Sequence, residues 1–282
     1  MLQAGTLYIV PTPIGNLADI TLRAIEVLQS VDRIVAEDTR HSQGLLQHHG
    51  IQKPLSALHE HNERQRIEYI LKLLKAGEKI ALISDAGTPL ISDPGFPLVR
   101  ACREEGAQVV PLPGPCAAIA ALSAAGLPTD RFLFAGFSPA KNSARETFLR
   151  ALQNETGTIL LYESPRRVLD SLKSIQAVMG AEREVVIARE LTKQFETFLS
   201  GPVSEVIAKV ETDSNQQRGE IVLMIKGFEV DPDAIPTAAA QLLKELSEHL
   251  PVKKAAALVA THYGLRKNKL YQLALTWNSD EE

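Results

Sequence analysis

The chain has 282 residues, 45% hydrophobic and 23% charged, with a net charge of −4. That is the ordinary composition of a soluble globular protein with room for two or three domains. No apolar run reaches the roughly 18 residues of a membrane span and no basic-then-apolar leader opens the chain, so a cytoplasmic protein off the membrane is expected.

Thr6 to Val10 reads as a short buried strand. It runs into the rigid turn Pro11-Thr12-Pro13-Ile14-Gly15-Asn16. Asp19 or Thr21 can cap the next helix, whose apolar face is expected at Leu22, Ile25 and Leu28. Ile34 to Ala36 is a second strand, ending in Glu37-Asp38-Thr39-Arg40-His41, and Leu55 to Leu58 a third. Asn62 to Ala76 is an amphipathic helix ended by Gly77. Lys79 to Ile83 is a strand, Phe96 to Glu105 a helix, and Gln108 to Pro111 a strand. Pro113-Gly114-Pro115 opens an Ala-rich helix through Ala125. This alternation implies an α/β fold with a mainly parallel sheet.

Gly126-Leu127-Pro128-Thr129 punctuates the chain, so a first α/β domain is placed at 1–126. A second, at 127–231, repeats the theme. Its strands are expected near Phe132 to Ala135, Thr158 to Tyr162, Val185 to Ala188, Phe195 to Leu199 and Glu220 to Ile225. Its helices are expected at Ser143 to Leu152, Pro165 to Val178 and Val203 to Val210. After Asp231-Pro232-Asp233 the strand pattern stops, and 232–282 reads as three short helices: Thr237 to His249, Val252 to His262 and Arg266 to Thr276. Lys253, Lys254, Arg266, Lys267 and Lys269 lie there in a stretch without acidic residues. Small residues, a glycine turn and a basic helix suggest a helix-turn-helix; a docking or dimerisation tail fits the same pattern.

The organising stretch is Ile83 to Gly95, ISDAGTPLISDPG. It leaves the carboxyl end of a strand, where open α/β sheets place ligands. Gly87 and Gly95 allow close backbone approach, Pro89 and Pro94 stiffen the turn, and Asp85 and Asp93 can accept hydrogen bonds from hydroxyls, amides or a cation. No Walker-type loop is present and no G-x-G-x-x-G follows the first strand, which disfavours two common nucleotide sites. What remains is a pocket lined by several strand-end turns, including Tyr162 to Arg167 and Ala188 to Lys193. Cys102 and Cys116 read as buried, reduced thiols, and no cysteine–histidine spacing suggests zinc. His41, His48, His49, His59 and His61 invite a metal, but no third ligand at suitable spacing supports one.

With SDAGTPLISDPG, PTPIGNLADIT, AEDTRHS, PGPCAAIAAL, YESPRR and ARELTKQFE in place, the chain resembles the tetrapyrrole methylase superfamily over its whole length. Within it, the chain is most similar to the group of small-subunit ribosomal RNA methyltransferases I. The resemblance implies a two-domain fold, S-adenosylmethionine in the cleft between domains, and a homodimer. It implies methylation of the ribose 2′-hydroxyl of a cytidine in 16S ribosomal RNA, within the small subunit near the decoding site. The C-terminal helices would be an RNA-contacting extension. It also implies cofactor residues: Pro11, Pro13, Ser84, Asp85, Thr88, Cys116, Ala117, Leu161, Tyr162, Ala188, Glu220 and Ile221. Ser84-Asp85-Ala86 departs from the Gly-Asp-Pro of porphyrin-modifying relatives.

A ribose hydroxyl is a poor nucleophile, so a base or polarising cation should lie close. Asp38, Glu163, Glu190 and Lys193 are candidates, and Lys193 with Glu190 is preferred because ARELTK leaves a strand end. A Glu–Lys pair on a solvated turn is the plainer alternative. Arg40, Arg166, Arg167 and Arg189 are expected at the mouth of the cleft as phosphate forks, unless paired with Glu37, Asp38 or Glu163. With the five basic residues of the tail they form the expected RNA contacts. Two other functions fit less closely: a tetrapyrrole methyltransferase, and a non-enzymatic RNA-binding or ribosome-assembly protein.

Overall fold

In the computed structural model, residues 2–58, 63–229 and 234–279 are described. His59, His61, Asn62 and Asp231 to Asp233, named above, lie outside them. The chain divides into two compact units, Met1–Phe228 and Glu229–Glu282.

The first unit holds two five-stranded sheets. The first sheet comprises β1 (Thr6–Ile9), β2 (Arg33–Ala36), β3 (Leu55–Ala57), β4 (Ile80–Ile83) and β5 (Gln108–Pro111), in the order β3-β2-β4-β1-β5. All four pairings are parallel. The helices between them are α1 (Leu22–Ser30), α2 (Thr39–His48), α3 (Glu63–Lys75) and α4 (Phe96–Glu104). Strand alternation sends Tyr8, Ile34, Ala36, Ala81 and Ile83 to one face against α1, and Leu7, Ile9, Val35, Ile80 and Leu82 to the other against α3 and α4. Such two-sided burial is why these strands read as continuous apolar runs. On α1 the buried side chains are Ala24, Val27 and Leu28, whereas Leu22 is 81% exposed. Of the expected apolar face, Leu28 is buried and Ile25 packs against the same core, whereas Leu22, the first residue after the Thr21 cap, points away from the sheet.

The helix α2 has no counterpart in the sequence pattern. Only Ser42 and Leu46 are buried on it, so its sequence carries little apolar periodicity. The Asp38 carboxylate, which accepts the Arg40 N–H at 2.9 Å as the N-cap, was its one legible signal.

The helix α5 (Ala117–Ala124) leads to the second sheet: β6 (Phe132–Phe137), β7 (Thr158–Glu163), β8 (Glu184–Arg189), β9 (Thr197–Pro202) and β10 (Ile221–Ile225), in the order β6-β7-β10-β8-β9. Only β6 and β7 pair in parallel; the other three pairings are antiparallel. The expectation of a mainly parallel sheet holds for the first sheet and fails for the second. Apolar runs do not encode strand direction, and the seven residues from Glu190 to Glu196 return the chain beside β8 as a hairpin. One face packs on α6 (Asn142–Leu152), α7 (Val168–Met179) and α8 (Val203–Thr212). The other receives Ala118, Ala121 and Leu122 of α5 together with Ile14 and Leu191. This packing brings the turns of the first sheet against the second.

The second unit is α9 (Thr237–Ser247), α10 (Val252–Tyr263) and α11 (Lys267–Ser279), closed around Leu243, Ala255, Ala256, Val259 and Leu270. Small residues at 255 and 256 let the helices approach. Gly264, at φ 68°, ends α10 in the left-handed conformation that an L side chain resists.

Candidate functional site

Because β1 and β4 are adjacent, the turns that follow them are neighbours. Thr12 and Gly87 form an isolated antiparallel bridge, with N–H···O distances of 2.9 and 3.0 Å. The Thr12 hydroxyl donates to Ser84 O at 3.2 Å, the Ser84 hydroxyl to Gly87 O at 3.2 Å, and the Thr88 hydroxyl to Pro115 O at 2.8 Å. Gly114 lies so near Pro11 that a Cβ there would meet the proline Cβ at 2.5 Å. Pro11, Ser84 and Thr88 thus brace the turns against each other.

From the second sheet comes the turn Glu190 to Glu196. Glu190 and Thr192 have φ of 53° and 67°, in the left-handed region. Backbone strain of this kind persists where surrounding contacts over-determine it, and it gathers at functional sites. Here the contacts are visible. Thr192 Oγ1 accepts the Asn16 N–H at 3.1 Å, and Lys193 Nζ donates to Glu190 Oε1 at 2.9 Å and Glu220 Oε2 at 3.0 Å. Gly219, at φ 81°, leaves space for the Glu190 side chain; a Cβ would lie 2.4 Å from its Cδ.

These turns enclose two cavities. The first, of about 340 Å³, is lined by Ile14, Gly87, Thr88, Asp93, Cys116, Ala117, Tyr162, Glu163, Ala188, Leu191, Glu220 and Ile221, among others. The second, of about 330 Å³, is lined by Thr12, Pro13, Gly15, Leu17, His41, Ser42, Ser84, Asp85 and Lys193, among others. Ile14, Ala86 and Glu220 line both.

Of the twelve cofactor candidates, Thr88, Cys116, Ala117, Tyr162, Ala188, Glu220 and Ile221 meet in the first cavity. Pro13, Ser84 and Asp85 line the second, and Glu220 reaches it too. Asp85 Oδ1 accepts the Asp38 N–H at 3.0 Å, tying the turn before α2 to the central loop. Leu161 belongs elsewhere: it is buried in the core on the opposite face of the sheet, because neighbours in a strand alternate and Tyr162 takes the cavity side. Asp93, in the sequence one hydrogen-bond acceptor among several, lines the first cavity with Oδ2 buried and unpartnered. Burial pushes its carboxyl up to about 6, the Ser84 hydroxyl draws it down, and the Asp85 charge adds to the rise. Burial also pushes the Tyr162 phenol up to about 12.

The proposed base fares differently. Burial alone would lower Lys193, but the hydrogen bonds to Glu190 and Glu220 outweigh it and raise its pKa. Burial would raise Glu190, but the Glu220 N–H and the Lys193 ammonium prevail and lower it. Lys193 is therefore a cation facing the second cavity. Asp38 lines neither cavity and is drawn to about 2, chiefly by its side-chain hydrogen bond to Arg40. Glu163 is buried, accepting from Ser164 N–H and the Ser171 hydroxyl and pairing with Arg167 at 3.2 Å.

A family model described as Tetrapyrrole (Corrin/Porphyrin) Methylases matches residues 6–207, and one described as RsmI C-terminal HTH domain matches residues 233–278. Over 271 residues the chain is 58% identical to the Ribosomal RNA small subunit methyltransferase I of Escherichia coli O157:H7, across 96% of this chain and 95% of that protein. It is 54% identical to the Pseudomonas aeruginosa protein of the same name, across 97% and 98%. The chain belongs to the ribosomal RNA small subunit methyltransferase I family. Its fold is that of tetrapyrrole methylases. The solved uroporphyrin-III-C-methyltransferase of Thermus thermophilus superposes with a TM-score of 0.56 at 19% identity, covering 79% of this chain and 94% of that one. The methyltransferase CobJ superposes at 0.59 and 18%, covering 81% and 98%. At such identity the likeness carries the fold alone.

Four arginines of this methyltransferase I family member were expected at the cleft mouth, and they divide. Arg189 is a correction: it is buried, and its guanidinium donates to Phe195 O and Thr197 Oγ1, both at 3.1 Å, because the β8–β9 hairpin folds over it. Arg167 is held by Glu163, and Arg40 by Asp38 at 3.0 Å. Arg166 is exposed and makes no hydrogen bond or ion pair among the described residues. Lys253, Lys254, Arg266 and Lys267 are exposed, and Lys269 is half-buried. Among the described residues no group of three or more His, Cys, Asp or Glu is placed to hold a metal, and no helix is long and apolar enough to cross a membrane.

Proposed function

We propose that this chain methylates the ribose 2′-hydroxyl of a cytidine in 16S ribosomal RNA near the decoding site. The methyl donor is S-adenosylmethionine, and the enzyme works as a cytoplasmic homodimer on the assembled small subunit. One observation carries the donor assignment. Three carboxyl-bearing residues, Asp93, Glu163 and Glu220, line the first cavity, and among the described residues no lysine, arginine or histidine does. A phosphate-bearing nucleotide would need the reverse, whereas a phosphate-free cation suits it. The cavity has the size of a small-molecule site, roughly 300–1,000 Å³. Its walls fit the rest of the donor: Ile14, Leu191 and Ile221 offer apolar surface to an adenosine, and Gly87 offers close backbone approach.

When bound, S-adenosylmethionine supplies a methyl carbon on a cationic sulfur with a neutral thioether as leaving group. The protein orients the acceptor and excludes water. The second cavity shares a wall with the first, so an acceptor seated there is next to the donor site; orientation of this kind is worth roughly 7–11 kcal/mol. Lys193 spends two of its three donors on glutamates and keeps one for an acceptor oxygen. Because Lys193 is protonated, His41, which lines the second cavity, is the better place to take the hydroxyl proton.

The RNA is held by cations. Lysines open both α10 and α11, and neither helix has an acidic residue in its first turn. That placement opposes the helix macrodipole, and a phosphate would supply the missing negative charge. Arg166 adds an unpaired fork at the edge of the loop whose Ser164 and Pro165 line the first cavity. The test uses small subunits from a strain lacking this protein. The purified chain with labelled S-adenosylmethionine should place a methyl on a cytidine ribose, faster in subunits than in naked RNA. Absence of a ribose methyl in both substrates would refute the assignment.

A further inference from the structure

Three acidic residues line the first cavity, and two are neutralised. Glu163 pairs with Arg167 at 3.2 Å and accepts two further hydrogen bonds. Glu220 pairs with Lys193 at 3.0 Å. Asp93 has no ion-pair partner among the described residues, and its Oδ2 is buried without a hydrogen bond. Asp85, the acid that the sequence favoured, lines the other cavity and accepts the Asp38 N–H. The chain reaches Asp93 through strained backbone, with Leu90 at φ 73° and Ser92 at φ 71°. A half-buried carboxylate with one oxygen shut from water, unpartnered and without an ion pair is unfavourable by itself, so its position suits a cationic ligand.

We propose that Asp93 is the specificity-determining residue of the donor cavity: its uncompensated carboxylate makes the site prefer the sulfonium donor over the neutral thioether product. The inference rests on the donor assignment above. Its consequence is release of product from a cavity that no longer contains the cation it is built to neutralise. S-adenosylhomocysteine has the same adenosine and the same amino-acid tail, so the ratio of the two affinities isolates the sulfonium charge.

The groups facing Asp93 are Ser84 and Asp85 from its own turn and Tyr162 from β7, with Cys116 at the head of α5 and the Glu163–Arg167 and Glu220–Lys193 pairs on the cavity wall. Its carboxyl lies near 6, within reach of a simple pH titration.

The experiment measures calorimetric affinities of the full chain for S-adenosylmethionine and S-adenosylhomocysteine. Asp93→Asn should weaken the donor about tenfold or more, the scale of one charge-assisted contact, and change the product by less than about twofold. Retained product binding also shows that the variant is folded. In the wild type, the donor-to-product preference should fall as the pH drops through about 6, a readout that needs no variant. Equal losses for both ligands in Asp93→Asn, or a wild-type preference that is absent or independent of pH, overturns the inference and leaves the donor assignment standing. A wild type that binds neither ligand removes the donor assignment, and this inference with it.

Discussion

Lys193 Nζ sits between Glu190 Oε1 at 2.9 Å and Glu220 Oε2 at 3.0 Å, and both oxygens stabilise the charged ammonium. Its folded pKa is raised, so the stabilisation is complete below the ordinary lysine range and is lost only above it. No limb of the pH–rate profile between about pH 6 and 9 should therefore belong to Lys193. Lys193→Arg, which keeps the charge, should retain more than about a tenth of the turnover, and Lys193→Ala should lose at least that factor. Loss of activity in both alike, with donor affinity intact, would restore a base role. Asp93 has the opposite sign. Its carboxyl is raised from 3.8 to about 6, so the folded state binds more protons through that window and stability falls as the pH rises across it. Without ligand, Asp93→Asn should raise the melting temperature at about pH 7.5 and leave it unchanged near pH 4. Discounted for partial exposure, the gain is about 1 kcal/mol, or about 2–4 °C.

At the scale of elements, the hairpin between β8 and β9 decides most of the site. It carries Leu191 and Lys193 to the cavities, sets Glu190 against the Lys193 ammonium and hides Arg189 beneath. Gly219 is its lock. Gly219→Ala should cost about 1–3 kcal/mol, read as a lowered melting temperature, because the left-handed φ and the Glu190 side chain both oppose a Cβ. The loop after β7 divides its two arginines by the same logic. Arg167 is spent on buried Glu163, and Arg166 faces solvent. Arg166→Ala should weaken subunit binding and reduce the slope of log affinity against log salt by about one, sparing donor affinity. The turns at Pro11, Ser84 and Glu163 were legible because Gly, Pro and Asp cluster between apolar runs. Strand direction and α2 were not, since hydrophobicity alone is blind to the first and the second buries only two residues.

Across the whole molecule, two kinds of charge are kept in different places. The first cavity of the first unit is acidic, and the helix starts of the second unit are basic. A net charge of −4 averages over both and so says little about RNA. The double variant Lys253→Ala/Lys254→Ala should lower subunit affinity and the salt slope by about two, with S-adenosylmethionine affinity unchanged in calorimetry. A steady salt slope would show that the second unit meets something other than phosphate.

The order of strands and helices, the turns that build the cavities, the three-helix tail and the family itself are determined by sequence, because apolar period, Gly/Pro punctuation and motif spacing are local properties of the chain. Which side chains remain free to meet a ligand was decided by tertiary structure alone. Arg189, Arg167 and Lys193 are all strand-end cations in the sequence, yet partners from Thr197, Glu163 and Glu220 claim them. Asp93 is one more loop aspartate until packing shuts one of its oxygens from water and gives it no cation in return. Electrostatics acts through space, and only the fold determines which charges are close.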